Sequence, residues 1–221
     1  MHPANIPSVE APTLSISRTS DGVSTLGPGL RAVVWVRGCP LHCAGCIAPE
    51  DFDFDGGRVL PVARLAEQFN ALPPGVSGVT FSGGEPMMQA SALAALLDLM
   101  RRSRDWSAMS YTGYTLEHLR RHGDPGQQAL LDRLDILVDG PYLQNRHAAL
   151  AWRGSSNQRL HMLSGRHQAP DPDVPAGIEF ELGDGTLMWS GVPPVPGFRE
   201  DLERALADNG FLLVPDESGA Q

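Results

Sequence analysis

Two spacings of apolar residues alternate along the chain. Arg31-Ala-Val-Val-Trp-Val-Arg37 is a β-branched run that predicts a buried strand and ends at Gly38. Between Pro61 and Leu72, Val62, Leu65, Ala66 and Phe69 recur at helical spacing until Pro73-Pro74-Gly75 stops the pattern. A short strand is predicted over Gly78-Val-Thr-Phe81, followed by Ser82-Gly83-Gly84-Glu85-Pro86 and a helix from Met88 to about Arg102. Ser107 to Thr112 reads as a strand, Leu116 to His122 and Gln127 to Leu134 as helices, and Asp135-Ile-Leu-Val-Asp139 as another strand. Strands that alternate with helices predict an α/β fold on a parallel sheet.

The pattern changes after residue 163. Gly165 to Gly177 is rich in Pro, Asp, His and Gln, which suits a loop. Ile178-Glu-Phe-Glu-Leu182 and Thr186-Leu-Met-Trp-Ser190 flank Gly183-Asp184-Gly185, and Asp-Gly supplies the positive φ that a hairpin turn requires. Pro193, Pro194 and Pro196 lead into a helix predicted from Phe198 to Ala207, and Phe211-Leu-Leu-Val214 is predicted to add a last strand. Met1 to Ser15 has neither the basic start nor the apolar stretch of a secretory signal and reads as a loose leader.

Composition narrows the class. A chain of 221 residues is long enough for one sizeable core and fits a single α/β domain. Net charge is -9 and the 17 Lys and Arg are scattered, which argues against nucleic acid as a partner, because phosphate binding needs clustered cations. Arg101, Arg102 and Arg104 read as the exposed end of a helix. No apolar run approaches the roughly 20 residues of a membrane span, so no membrane partner and a cytoplasmic address are expected.

All three cysteines fall in one segment, Cys39-x-x-x-Cys43-x-x-Cys46. A disulfide framework needs an even number spread over the fold, so an odd, local cluster points to a metal site in a reducing compartment. Three thiolates suit a [4Fe-4S] cubane and leave one iron open to a small molecule. A structural zinc knuckle completed by His42 is the other reading, although His42 adjoins Cys43 and closes a tetrahedron awkwardly. In parallel sheets ligands gather at the carboxyl ends of strands. The cysteine loop, the Gly83-Gly84-Glu85-Pro86 turn, Thr112-Gly113 and Asp139-Gly140-Pro141 each follow a predicted strand, so all would face one rim.

Arg37-Gly38-Cys39-Pro-Leu-His-Cys43-Ala-Gly-Cys46, followed by Ser82-Gly83-Gly84-Glu85-Pro86, resembles the radical S-adenosylmethionine (SAM) superfamily. Within it the chain is similar to the small activating enzymes that install a glycyl radical, above all those of anaerobic ribonucleoside-triphosphate reductase. Gly27-Pro28-Gly29-Leu30-Arg31, Tyr111-Thr-Gly-Tyr114, Asp135-Ile-Leu-Val-Asp-Gly-Pro141 and Trp152-Arg-Gly-Ser-Ser-Asn-Gln158 carry that likeness, which spans about residues 27 to 163. The resemblance implies a leader over 1–26, a radical SAM core over 27–163 and a C-terminal extension over 164–221 packed on the core. It implies a partial (β/α) barrel with a short hairpin and helix extension. It also implies one [4Fe-4S] cluster on Cys39, Cys43 and Cys46, with SAM on the open iron, cleaved reductively to a 5'-deoxyadenosyl radical that takes a hydrogen from the substrate. The expected partners are a glycyl-radical protein and an electron donor of the flavodoxin or ferredoxin type. A radical SAM enzyme for a small molecule or pathway peptide, similar to the 7-carboxy-7-deazaguanine synthases, and a noncatalytic metal scaffold are the alternatives.

The resemblance also assigns site residues. Gly45, Cys46 and Ile47 would lie against the adenine edge. Alone, Gly83 and Gly84 read as a tight turn. Beside the cysteine loop, Ser82, Gly83, Gly84, Glu85 and Pro86 would take the methionine end of SAM, with Glu85 accepting from its ammonium. Thr112 and Asp139 either reach the sulfonium or ribose, or serve as caps and turn formers. Arg153, Ser155 and Asn157 are expected as a polar cluster in a loop after a barrel strand, where they would bind a carboxylate, the SAM ribose or their own backbone. His118, His122, His147 and His161 have no ligand spacing with the cysteines and read as surface or cap residues. Trp35, Trp106, Trp152 and Trp189 read as packing residues.

Overall fold

The computed structural model of the protein describes residues 11–183 and 186–211. Its first element corrects the expected leader: Thr13–Val23 is a strand, β1, inside the main sheet. Leu14 and Ile16 are fully buried and alternate with polar residues, so one face of β1 enters the core while the other stays partly wet. β1 pairs antiparallel with β2 (Leu30–Val36) and, over its first residues, with β3 (Arg58–Pro61).

Beyond β2 the sheet is parallel. β4 (Val76–Gly83) lies beside β2, β5 (Ser107–Tyr111) beside β4, and β6 (Ile136–Asp139) beside β5. Their registers run through Trp35 with Ser82, Phe81 with Ser110 and Tyr111 with Val138, which brings the carboxyl ends to one rim. β7 (His147–Leu150) and β8 (Arg153–Ser155) form a separate antiparallel pair, and β9 (Arg159–Met162) returns antiparallel on β6. The sheet order is β3-β1-β2-β4-β5-β6-β9, and its outer strands do not close on each other among the described residues. The fold is therefore α/β on an open, mixed sheet.

Helices α1 (Val62–Asn70), α2 (Ala90–Arg101), α3 (Leu116–His122) and α4 (Pro125–Leu131) share one core with Val34, Val36, Val79, Phe81 and Leu137. Leu93, Leu96, Leu97 and Met100 of α2 are fully buried there, each worth about 1.5–3 kcal/mol of burial. The expected helix starts shift slightly. Pro86–Gln89 forms a 3-10 turn before α2, and an Asp124/Gln127 capping box starts α4 at Pro125. The opposite sheet face carries Val33 and Trp35 in one apolar cluster and Met109, Ile136 and Val138 in another, bridged by Tyr111. Arg31 is fully buried on β2 and binds Thr80 Oγ1 at 2.7 Å, Ser107 Oγ at 2.9 Å and the Val79 carbonyl at 2.7 Å. It thereby ties β2 to both β4 and β5.

In the extension, β10 (Ile178–Gly183) and β11 (Thr186–Gly191) form the expected antiparallel hairpin, and α5 (Phe198–Asp208) the expected helix. Asp184 and Gly185 of the predicted turn lie outside the described residues, as do 212–214 of the predicted last strand. The hairpin faces β1 and β2 across a cleft of about 310 Å³ lined by Arg18, Trp35, Met188 and Trp189. No helix among the described residues is long and apolar enough to cross a membrane.

Candidate metal centre

The cysteine loop leaves the end of β2 and is closed at its base by two backbone bonds. Gly38 N–H donates to the Asp51 carbonyl at 2.9 Å and Cys39 N–H to the Phe52 carbonyl at 3.0 Å. Within it, Cys46 N–H bonds the Cys43 carbonyl at 3.1 Å, and His42 takes a left-handed φ of 44°. A non-glycine residue held there stores strain of the kind that gathers at functional sites. Gln89, three residues past Pro86, fastens the base: its amide nitrogen donates to the carbonyls of Ser15 at 2.8 Å and Arg37 at 2.9 Å, and its oxygen accepts from Ser15 N–H. Nothing in the local sequence marks Gln89 for this task, because its partners are remote in the chain.

The donor set fits an iron–sulfur cluster. Cys39 is buried, and Cys43 and Cys46 are half-buried. Burial pushes the Cys39 thiol up, backbone N–H groups of Leu41 and His42 pull it down, and the charges of Glu85 and Cys43 push it up again. Burial likewise raises the Cys46 thiol, opposed by the Ala48 N–H and reinforced by Cys43 and Cys39. The Cys39 and Cys46 thiols, held back from ionising by burial, need a cationic group beside them, and N–H donors to sulfur suit ligands of a cluster. Zinc fits less well. Among the described residues no three His, Cys, Asp or Glu side chains are gathered closely enough to hold a single ion, and the His42 ring packs on Phe52 with centroids 4.6 Å apart. A cubane spreads its thiolates over different irons, so wider separation is what it requires.

Loops from the other parallel strands meet this one. A methyl group on Gly84 would lie 2.4 Å from the Gly38 carbonyl oxygen, and one on Gly83, whose φ is +92°, 2.5 Å from that of Val36. The glycines therefore let the end of β4 press against the backbone that carries Cys39. This is a packing role, in addition to the one expected toward the methionine end of SAM. Leu41 packs against Gly113 past the end of β5, and Gly45 against Gln144 past β6.

Glu85 is 1% exposed, and burial pushes its carboxyl up, against bonds that pull it down. Its Oε1 accepts from Met87 N–H at 2.9 Å and Thr112 Oγ1 at 2.8 Å, and Oε2 from Gly113 N–H at 2.8 Å. Glu85 and Thr112 thus join the ends of β4 and β5. Pro86 is buried at the start of its 3-10 turn, while Ser82 is half-buried and Ile47 is exposed.

Asp139 is also fully buried, but its carboxylate accepts from Leu116 N–H at 2.6 Å and from Arg159 Nε at 3.0 Å, with His161 Nε2 3.1 Å away. Its carboxylate is occupied by protein groups, and His161 belongs to that network. The expectation of a polar loop after a barrel strand is corrected for Arg153 and Ser155, which lie within β8. Ser155 Oγ accepts from Leu143 N–H, Arg153 Nη1 reaches the Gln158 carbonyl, and Asn157 Nδ2 donates to the Pro141 carbonyl at 2.8 Å. Arg153 Nε and Asn157 Oδ1 are buried without a protein partner.

An open α/β sheet with three cysteines in one loop on its parallel rim defines a cluster-binding protein. Residues 25–161 match the family described as a 4Fe-4S single cluster domain. An anaerobic ribonucleoside-triphosphate reductase-activating protein from Vibrio cholerae is 35% identical over 146 residues, covering 62% of this chain and 91% of that protein. Its counterpart from Haemophilus influenzae is 32% identical, covering 61% and 89%. A pyruvate formate-lyase-activating enzyme from Clostridium pasteurianum is 33% identical, covering 52% of this chain and 50% of that protein. The chain belongs to the 4Fe-4S single cluster domain family of radical SAM activating enzymes.

Proposed function

We propose that the protein generates a glycyl radical on a partner enzyme, in the manner named for its relatives that activate anaerobic ribonucleoside-triphosphate reductase. The observation that carries this reading is the three-cysteine loop set on a rim of four parallel strand ends, within a stretch that accounts for nine-tenths of such a relative. When bound, the cluster and SAM supply reductive cleavage of the sulfonium and a 5'-deoxyadenosyl radical able to take hydrogen from a glycine. The chain supplies the rest. Cys39, Cys43 and Cys46 hold three irons. Glu85, Thr112 and Gly113 keep the ends of β4 and β5 in register beneath the SAM site, and exposed Ile47 offers apolar contact to the adenine. Arg153 Nε and Asn157 Oδ1, buried without protein partners, are the polar atoms best suited to SAM's carboxylate and ribose. Ser82 to Pro86 shape the floor, and Asp139 acts through Arg159 and the start of α3.

The same reading takes the four parallel units as a partial barrel, a flavodoxin or ferredoxin as electron donor, and the cytoplasm as location. The test is anaerobic reconstitution with iron and sulfide, reduction by dithionite, and a count of 5'-deoxyadenosine with Cys43→Ala as control. Addition of a glycyl-radical reductase from the same source should then yield a protein radical detectable by electron paramagnetic resonance. Deoxyadenosine without any protein radical would move the reading to a small substrate. An intact cluster that forms none would reduce the protein to a scaffold.

A further inference from the structure

The C-terminal extension touches both limbs of the cysteine loop. Arg199, in the first turn of α5, donates through Nη1 to the Ile47 carbonyl at 3.0 Å and to Glu50 Oε2 at 2.7 Å. Its Nε bonds Glu203 one turn on at 2.9 Å. Beside it, Phe198 meets the Trp189 ring edge-on, with centroids 5.6 Å apart. The Trp189 carbonyl accepts from Arg18 Nη2 at 3.1 Å, and the Arg18 guanidinium lies 4.0 Å from the centroid of Trp35. Trp35 belongs to the strand that feeds Cys39, while Ile47 directly follows Cys46. One connected set of side chains therefore grips the chain before and after the three thiols.

Helix α5 depends on this grip. It has no buried residue, and its length is marginal for an isolated helix, so its seat rests on half-buried contacts, those of Phe198 and Arg199 in the first turn among them. Nη1 of Arg199 takes both loop acceptors while Nε holds Glu203, so the planar guanidinium fixes the loop against the next turn of α5 in a geometry that a Lys ammonium does not reproduce. The family match ends at residue 161, so these contacts come from outside the matched region.

We infer that Arg199 is a positioning residue for the cluster site: from the extension it holds Ile47 and Glu50, and through them Cys46, in the geometry the cluster needs. This rests on the cluster reading above. The first measurement avoids the cluster altogether. In the full-length, cluster-free protein, hydrogen exchange of amides 46–51 should be roughly threefold or more faster in Arg199→Met than in wild type, as expected for losing a charge-assisted contact at a half-exposed site. Arg199→Lys should restore only part of the protection. Glu50→Gln, which changes no residue of α5, should move the same amides. In reconstituted protein, Arg199→Met should lose its cluster absorbance in air about threefold or more faster, and the resonance spectrum of its reduced cluster with SAM should change. Unchanged exchange in both Arg199→Met and Glu50→Gln overturns the inference. A wild type that retains no iron sinks the functional reading, and exchange in the loop then decides separately whether Arg199 positions it.

Discussion

Asp51 sits at the base of the cysteine loop with 3% of its surface exposed, and its Oδ1 has no protein partner. Its backbone carbonyl accepts from Gly38 N–H, which fixes the residue at the base of the loop. Burial pushes its carboxyl from 3.8 up to about 6; a Ser17 hydrogen bond and the more distant Arg18 and Arg37 only partly oppose this. The folded state thus holds the Asp51 proton more tightly than the unfolded chain does. Stability from this group is full below about pH 4, falls as pH rises through the window up to about 6, and stays low above it. The span of about two pH units corresponds to about 3 kcal/mol. Asp51→Asn keeps the shape and removes the titration. Urea unfolding from pH 3.5 to 8 should show wild type and Asp51→Asn nearly equal at the acid end, with the variant ahead by about 3 kcal/mol at pH 7. A difference that stays constant across that range would refute the burial account.

Other substitutions test the rim. Gly84→Ala places a methyl group against the Gly38 backbone, which cannot yield as a side chain would; it should cost about 1–3 kcal/mol in urea unfolding and lower iron retention after reconstitution. Glu85→Gln replaces one acceptor with a donor facing either Gly113 N–H or Met87 N–H, so it should cost about 1–3 kcal/mol, and its effect should be non-additive with Thr112→Val in a double-mutant cycle. At Asp139 burial alone would raise the carboxyl, but the bonds from Arg159 and Leu116 N–H outweigh it and hold it below 3.8. Its contribution is therefore full above about pH 4 and fades as pH falls through the lowered value, so Asp139→Asn should lose about 1.5–3 kcal/mol at pH 7, the scale of hydrogen bonds to a charged group, and show a flatter acid limb in unfolding titrations.

Much of this architecture can be read from short stretches of chain. The β-branched run of β2, the helical spacing of Val62, Leu65, Ala66 and Phe69, and the turn glycines each carry their structure locally, because period and turn chemistry are properties of a few neighbouring residues. The cysteine segment is legible for the same reason. Its ligands lie within one loop, so their spacing announces a metal site and favours a cluster over a zinc knuckle.

Tertiary structure decided what depends on distant partners. The segment from Thr13 to Val23 offers only Leu14 and Ile16 as an alternating apolar pair before a polar run, and it becomes a strand because β2 and β3 supply the missing hydrogen bonds. Gly84 also makes room for the Gly38 backbone, a contact between residues 46 positions apart that no local pattern announces. Asp139 and Thr112 show their partners only once Arg159 and Glu85 are placed beside them. Arg199, on a helix with no motif, meets the loop of Cys46 across about 150 residues, and no pattern of period two or 3.6 reaches that far. Local periodicity thus determined the elements and cysteine spacing the metal site, while long-range packing determined which polar groups remain free to act.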